Sequence, residues 1–226
     1  MTDVAHPSAR STGGSRAIET AASSRDAELH AATLSLRLLD EGDRALYHAL
    51  HSSREVMRAI GPPLDADAID ARFGRVLRHN RSQRPGHRAW AVIPRDAAKP
   101  VGLTALLRDG VRAEFGIMLL PAAQRRGIAG ATIAALLPHA FGDMRLMHVD
   151  ASRPDGRFVH VIDAMFAPFG FRRVPGLRPG EVGWTLSRDN ATWTSTRLQA
   201  CDPGGGPTDG HDRRPAGEPA RPPPRS

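Results

Sequence analysis

The chain has 226 residues, 40% of them hydrophobic, which suffices for one full core and not for two. Its net charge of +7 is carried almost wholly by arginine, Lys99 being the only lysine, and suits an anionic ligand, RNA or an acidic protein face. The lone Cys201 rules out an internal disulfide, no run is long and apolar enough to span a bilayer, and nothing like a signal peptide opens the chain, so a cytoplasmic protein is expected.

Residues 1–30 are rich in Ser, Ala, Thr and Gly without apolar periodicity, and a disordered tail is expected there. A single domain is expected over 31–199, followed by a second, Gly/Pro/Arg-rich disordered tail over 200–226. Thr33 to Leu38 alternates like a first strand, and Asp40 is placed to cap a helix that turns Leu46 and Leu50 inward, with Met57 continuing that face. Gly61-Pro62-Pro63 stops it. Asp65 caps a second helix through about His79, with Ile69, Phe73, Val76 and Leu77 on one side. The same helix spaces Arg72, Arg75, Arg78 and Arg81 three apart. That stripe reads as a solvated face, the alternative being a rim that attracts an acidic substrate.

Ala89–Ile93 and Val101–Leu107 read as strands, and Asp109-Gly110 as the hairpin into a central strand over Val111 to Leu120, giving an antiparallel meander of three. Pro121 ends the pairing. A basic glycine turn follows, Gln124-Arg125-Arg126-Gly127-Ile128-Ala129-Gly130, and apolar residues then recur at helical spacing at Ile128, Ile133, Leu136, Leu137 and Phe141. The first turn of such a helix has amides with no intrahelical acceptor and partial positive charge, so anions are drawn to it. Gly127 and Gly130 let a phosphate approach the main chain, and Arg125 and Arg126 add full charges. A pyrophosphate cradle is predicted, against the simpler reading that small residues pack the helix closely on the sheet. Neither Gly-x-x-x-x-Gly-Lys-Ser/Thr nor Gly-x-Gly-x-x-Gly is present. Arg145 to Asp150 reads as the next strand, parallel to the central one because a helix joins them. Arg157 to Pro168 is a further helix, Phe169-Gly170-Phe171 turns it into a strand, and Glu181 to Leu186 supplies the last strand.

Gln124-Arg125-Arg126-Gly127-Ile128-Ala129 resembles the Gln/Arg-x-x-Gly-x-Gly/Ala signature of the GNAT superfamily of acetyl-coenzyme A-dependent N-acyltransferases. The preceding Glu114 to Pro121 resembles the strand that leads into that signature, and Phe169-Gly170-Phe171 the Leu-Gly-Phe that follows the family's next helix. The order is most similar to the ribosomal-protein-alanine N-acetyltransferase branch. The resemblance implies an α+β fold, a mixed and mostly antiparallel sheet flanked by helices, whose two parallel strands splay to admit the acyl-pantetheine arm. It implies acetyl-CoA, or another acyl-CoA, as co-substrate. The main chain of Met118, Leu119 and Leu120 would orient the thioester, and Gln124, Arg125, Arg126, Gly127, Ile128, Ala129 and Gly130 would hold the phosphates.

Glu114 is then the implied general base, acting directly or through water. Of His148 and Asp150 on the neighbouring strand, only one is expected to face the groove, and Asp150 is the second catalytic candidate. Two positions depart from the pattern: Val159 stands about where many relatives carry Asn, and Phe166 where some carry a general-acid Tyr. Tyr47, the only tyrosine, lies on the first helix and reads as structural. No metal is expected, since His-Glu-x-x-His and Cys-x-x-Cys are absent and His48/His51 lack a third ligand. The arginines lack the interleaved aromatics of a single-strand RNA binder. The expectation is therefore an N-acetyltransferase acting on a primary amine of a protein or peptide N-terminus or a small molecule. It would work as a monomer or homodimer without membrane or nucleic-acid partners. The alternative is a non-catalytic coenzyme A-binding regulatory or interaction module.

Overall fold

The computed structural model describes residues 28–191 apart from Ala59, Gln83 and Leu177. The tail expected over 200–226, with Cys201, lies outside the described residues, and so does the expected first tail up to residue 27. In chain order the elements are β1 (Glu28–His30), β2 (Leu34–Leu38), α1 (Arg44–Ser52), a single turn α2 (Arg54–Met57), α3 (Ala66–Arg81), β3 (Arg88–Pro94), β4 (Gly102–Asp109) and β5 (Arg112–Leu119). Then come α4 (Ile128–Phe141), β6 (His148–Pro154), α5 (Val159–Phe166), β7 (Arg172–Pro175) and β8 (Glu181–Ser187). They build one eight-stranded sheet in the order β1-β2-β3-β4-β5-β6-β8-β7. Its pairings are antiparallel except for β5 against β6.

Local chemistry sets most boundaries. Asp65 takes the amide of Ala68 at 2.8 Å and starts α3. Gly110, at φ +57°, makes the tight connection between β4 and β5. Two boundaries differ from expectation. Glu28–His30 pair with Arg37 to Ser35, so ordered chain begins inside the stretch read as a tail. Strand β6 begins at His148 rather than Arg145, because Arg145 sits at φ +52° and interrupts the extended run.

Two cores lie on opposite faces of the sheet. One packs Leu36, Trp90, Leu106, Val149 and Leu186 against α4 and α5, with Ile133, Leu136, Leu137 and Phe166 from the helices. The other packs Ala91, Leu103 and Met118 beneath Tyr47, Leu50, Ile69 and Phe73 of α1 and α3. The five apolar positions that predict α4 are all buried, Phe141 and Ile128 included. Each such side chain contributes roughly 1.5–3 kcal/mol relative to exposure.

One feature of register positions the site. Strands β5 and β6 pair only at Arg112↔His148, Ala113↔Val149 and Glu114↔Asp150. Beyond Glu114, β5 stays with β4 as far as Leu119, and β6 stays with β8 as far as Pro154. The two parallel strands therefore part, and a gap opens between them.

Candidate active site

At the far end of the gap, β5 passes through a 3-10 turn at Pro121–Ala123 into the glycine turn. Arg125 and Gly127 both adopt the left-handed region, at φ +61° and +74°, so the chain folds back into the start of α4. No side chain caps α4 at Gly127. Its first internal bond runs from the amide of Ala131 to the carbonyl of Gly127, so the amides of Ile128, Ala129 and Gly130 have no helical acceptor. A Cβ built on Gly127 or Gly130 meets nothing within 4 Å, so the space before these amides is open. Arg125 is exposed, whereas Arg126 is paired with Asp96 at 2.8 Å. Gln124 donates through Nε2 to the carbonyl of Leu119 at 3.1 Å and so ties the turn to the strand end. Open space, amides without a helical acceptor, the positive end of a dipole and a guanidinium that has no ion-pair partner among the described residues together fit a pyrophosphate.

The strand end offers main-chain groups selectively. Leu120 donates its amide to the carbonyl of Val101 at 2.9 Å, and the Met118 carbonyl lies against Gly102, where an added Cβ would sit 2.3 Å from it. Both therefore turn toward β4. By alternation along the strand, Leu119 and Ile117 turn their backbone groups toward the gap.

At the near end of the gap, Glu114 and Asp150 are register partners on one face of the sheet. His148 and Asp150, two residues apart, share that face as well, contrary to the expectation that only one of them does. Their situations differ sharply. Asp150 accepts from Arg112 through both Nε (2.9 Å) and Nη2 (2.6 Å), and from the Thr185 hydroxyl at 2.6 Å. This carboxylate is fully engaged in joining β5, β6 and β8. Glu114 is half-buried and has no hydrogen bond among the described residues. Burial pushes its carboxyl above the ordinary value; the Arg178 guanidinium opposes this, and the Glu181 and Asp150 carboxylates reinforce it. Such a group holds and releases a proton at a pH nearer neutrality than a solvated glutamate. Arg112, Thr185, Arg178 and Glu181 were not singled out from the sequence. Register between distant strands brings Arg112, Thr185 and Glu181 here, and the loop before β8 brings Arg178; no local motif marks them.

A family model described as an acetyltransferase (GNAT) domain matches residues 33–153, more than half of the chain. The chain belongs to the GNAT acetyltransferase family. Its sheet, with mostly antiparallel strands and one splayed parallel pair, is the GNAT fold. Solved structures bear this out. An acetyltransferase from Agrobacterium tumefaciens superposes with a TM-score of 0.61 at 19% identity, covering 71% of this chain and 94% of that one. A spermidine N-acetyltransferase from Vibrio cholerae, in complex with CoA and spermine, gives 0.57 at 22% identity, covering 71% and 98%. RimL, a ribosomal L7/L12 alpha-N-protein acetyltransferase in complex with coenzyme A, gives 0.58 at 15% identity, covering 71% and 97%. Among curated proteins none matches. Among the described residues no helix is long and apolar enough to cross a membrane, and no group of His, Cys, Asp or Glu is arranged to hold a metal.

The two departures from the GNAT pattern are core residues here. Phe166 is 2% exposed, stacked on Phe171 at 4.3 Å between ring centroids and tilted against Trp184 at 5.8 Å. Val159 is buried at the start of α5. Neither offers a proton.

Proposed function

We propose that this chain transfers an acetyl group from acetyl-CoA to a primary amine by direct attack. The pyrophosphate would lie on the amides of Ile128, Ala129 and Gly130, with Arg125 as counter-charge and Gln124 bracing the turn. The Leu119 and Ile117 backbone edge, which has no strand partner beyond the splay, would orient the pantetheine arm. The thioester supplies an activated acyl carbon. Glu114, at the point where β5 and β6 part, takes the proton that makes the acceptor amine nucleophilic, directly or through water. Asp150 acts as a positioning residue: held by Arg112 and Thr185, it fixes the strand edge opposite Glu114 and adds negative charge that keeps the Glu114 proton affinity high. With Phe166 in place of a phenol, the departing thiolate is protonated by solvent, which the modest basicity of a thiol, pKa about 8.5, permits.

The observation that carries this reading is the conjunction of the splay beyond Glu114↔Asp150 with an uncapped helix N-terminus at its far end. The test is incubation of the full chain with acetyl-CoA and a panel of amines, peptide N-termini first and small amines second. Thiol release and acetylated product are followed by mass spectrometry, with Glu114→Gln in parallel. A second reading is favoured by Phe166: a coenzyme A-binding module that does not transfer. It predicts retained CoA with no amine-dependent thiol release.

A further inference from the structure

On the face of the sheet that carries Glu114, a cavity of about 480 Å³ lies between α3 and strands β3 and β4. Its polar lining divides into two sets. Asn80 and Arg88 are engaged with the main chain. Asn80 donates to the carbonyls of Leu39 (3.1 Å) and Ala89 (2.8 Å), and Arg88 donates to those of His79 (2.9 Å) and Ser82 (2.8 Å). Tyr47, Arg72 and Arg75 are not so engaged. Tyr47 is only 5% exposed, its ring stacked on His51 at 4.0 Å and tilted on Phe73 at 5.0 Å, yet its hydroxyl has no hydrogen bond among the described residues. Arg72 and Arg75, one turn apart on α3, lie close enough to act electrostatically on that phenol, and neither has an ion-pair partner among the described residues. The buried Nδ1 of His87 in the same wall is also without a partner. Among the described residues no carboxylate lines the cavity.

The largely buried ring of Tyr47 and the exposed side chains of Arg72 and Arg75 thus line one space, with no acid among its described lining residues, a donor set suited to an oxyanion. It is separate from the phosphate turn. The cavity floor includes Leu107, the register partner of Glu114, whereas the turn begins beyond Leu119, roughly 16 Å further along β5. The floor thus runs up to the strand position beside the proposed base, one interstrand spacing of about 4.8 Å away.

We propose that this cavity binds a carboxylate or phosphate carried by the acceptor itself, so that the acceptor is an amine with an oxyanion within about two residues' reach. This rests on the transferase reading for the amine and on the cavity alone for the anion. The arginine stripe of α3 is thereby divided: Arg72 and Arg75 serve the acceptor, and Arg81 pairs with Glu41 at 3.2 Å on the surface.

The test is calorimetric titration of the full chain with three C-terminally amidated dipeptides, alanyl-aspartate, alanyl-phosphoserine and alanyl-asparagine, followed by acetyl-CoA assays on each. The wild type is expected to bind one or both acidic dipeptides at least tenfold more tightly than the asparagine form, and the tighter of the two identifies the anion. Arg72→Gln with Arg75→Gln should abolish the preference at unchanged melting temperature. Tyr47→Phe, which keeps the ring stack, should reduce it severalfold. Equal affinity for all three dipeptides, or a preference that survives the double substitution, overturns the proposal. Acid-selective binding without acetyl transfer upholds the cavity and removes the transferase reading. Transfer to all three with no selectivity does the reverse.

Discussion

At the scale of single residues, the site turns on two carboxylates that the register sets side by side and the surroundings set apart. Asp150 has three donors and Glu114 has none among the described residues, which is why the proposed mechanism gives the proton transfer to Glu114. Glu114→Gln should lower kcat by about 100-fold with acetyl-CoA affinity unchanged, measured by steady-state kinetics and calorimetry. The wild-type kcat/KM should rise with pH through the elevated Glu114 pKa. The stability consequence has the opposite sense. Because the folded chain holds this proton more tightly than the unfolded one, stability falls as pH rises from the ordinary carboxyl range through the folded value. The glutamine variant should therefore melt no lower than wild type at neutral pH. Asp150→Ala is expected to behave differently, costing about 1–3 kcal/mol by denaturant unfolding, since Arg112 and Thr185 lose a charged partner that joins three strands. Glu114 was legible as an acid on the strand before a signature. The engagement of Asp150 was not, because its partners come from positions 38 and 35 residues away.

At the scale of elements, the strand, glycine turn and helix are proposed to act as one anion-binding unit. Gly127 is held at φ +74° with open space in front of it, so Gly127→Glu places strain, bulk and like charge where phosphates are expected. Calorimetry should show coenzyme A affinity lost, with the far-ultraviolet spectrum unchanged. Gly102 makes a different demand. A Cβ there would collide with the carbonyl of Met118 at 2.3 Å and the Leu119 side chain at 2.6 Å. Gly102→Ala should therefore push β4 from β5 and destabilise by about 1–3 kcal/mol in denaturant unfolding. The turn and α4 were legible because both signals are local: glycines flanked by arginines, then apolar residues at helical spacing. The splay was not, since it depends on where pairing stops between strands far apart in sequence. Strand β1 escaped notice for a related reason: three residues with one side chain half-buried leave no periodic trace, and pairing with β2 alone defines them.

At the scale of the molecule, the sheet separates two tasks. One face, closed by α4 and α5, is a continuous apolar core from Leu36 to Leu186, and Phe166 belongs to it. The other, roofed by α1 and α3 over β3, β4 and the Met118 end of β5, leaves half-buried polar groups from Glu114 to Thr185 beside the arginine-lined cavity. Titration of this roofed half gives the whole fold a pH signature. Burial lowers the pKa of His51, the Tyr47 carbonyl opposing, and burial with neighbouring His79 lowers that of His87. Both are depressed in the folded state, so the unfolded chain binds these protons first. Their contribution is present above the ordinary histidine value of about 6.5 and is lost as pH falls below it. Melting temperature should decline from pH 7 to 5, and His51→Phe should flatten the decline. The splayed strands, the uncapped helix and Glu114 are proposed to form one acetyl-transfer site. Mass spectrometry of the full chain with acetyl-CoA and the acidic dipeptides decides the matter. Acetylated dipeptide formed in step with free CoA, and suppressed by Glu114→Gln, is the predicted result; CoA bound at the turn with no acetylated amine in either protein would contradict it.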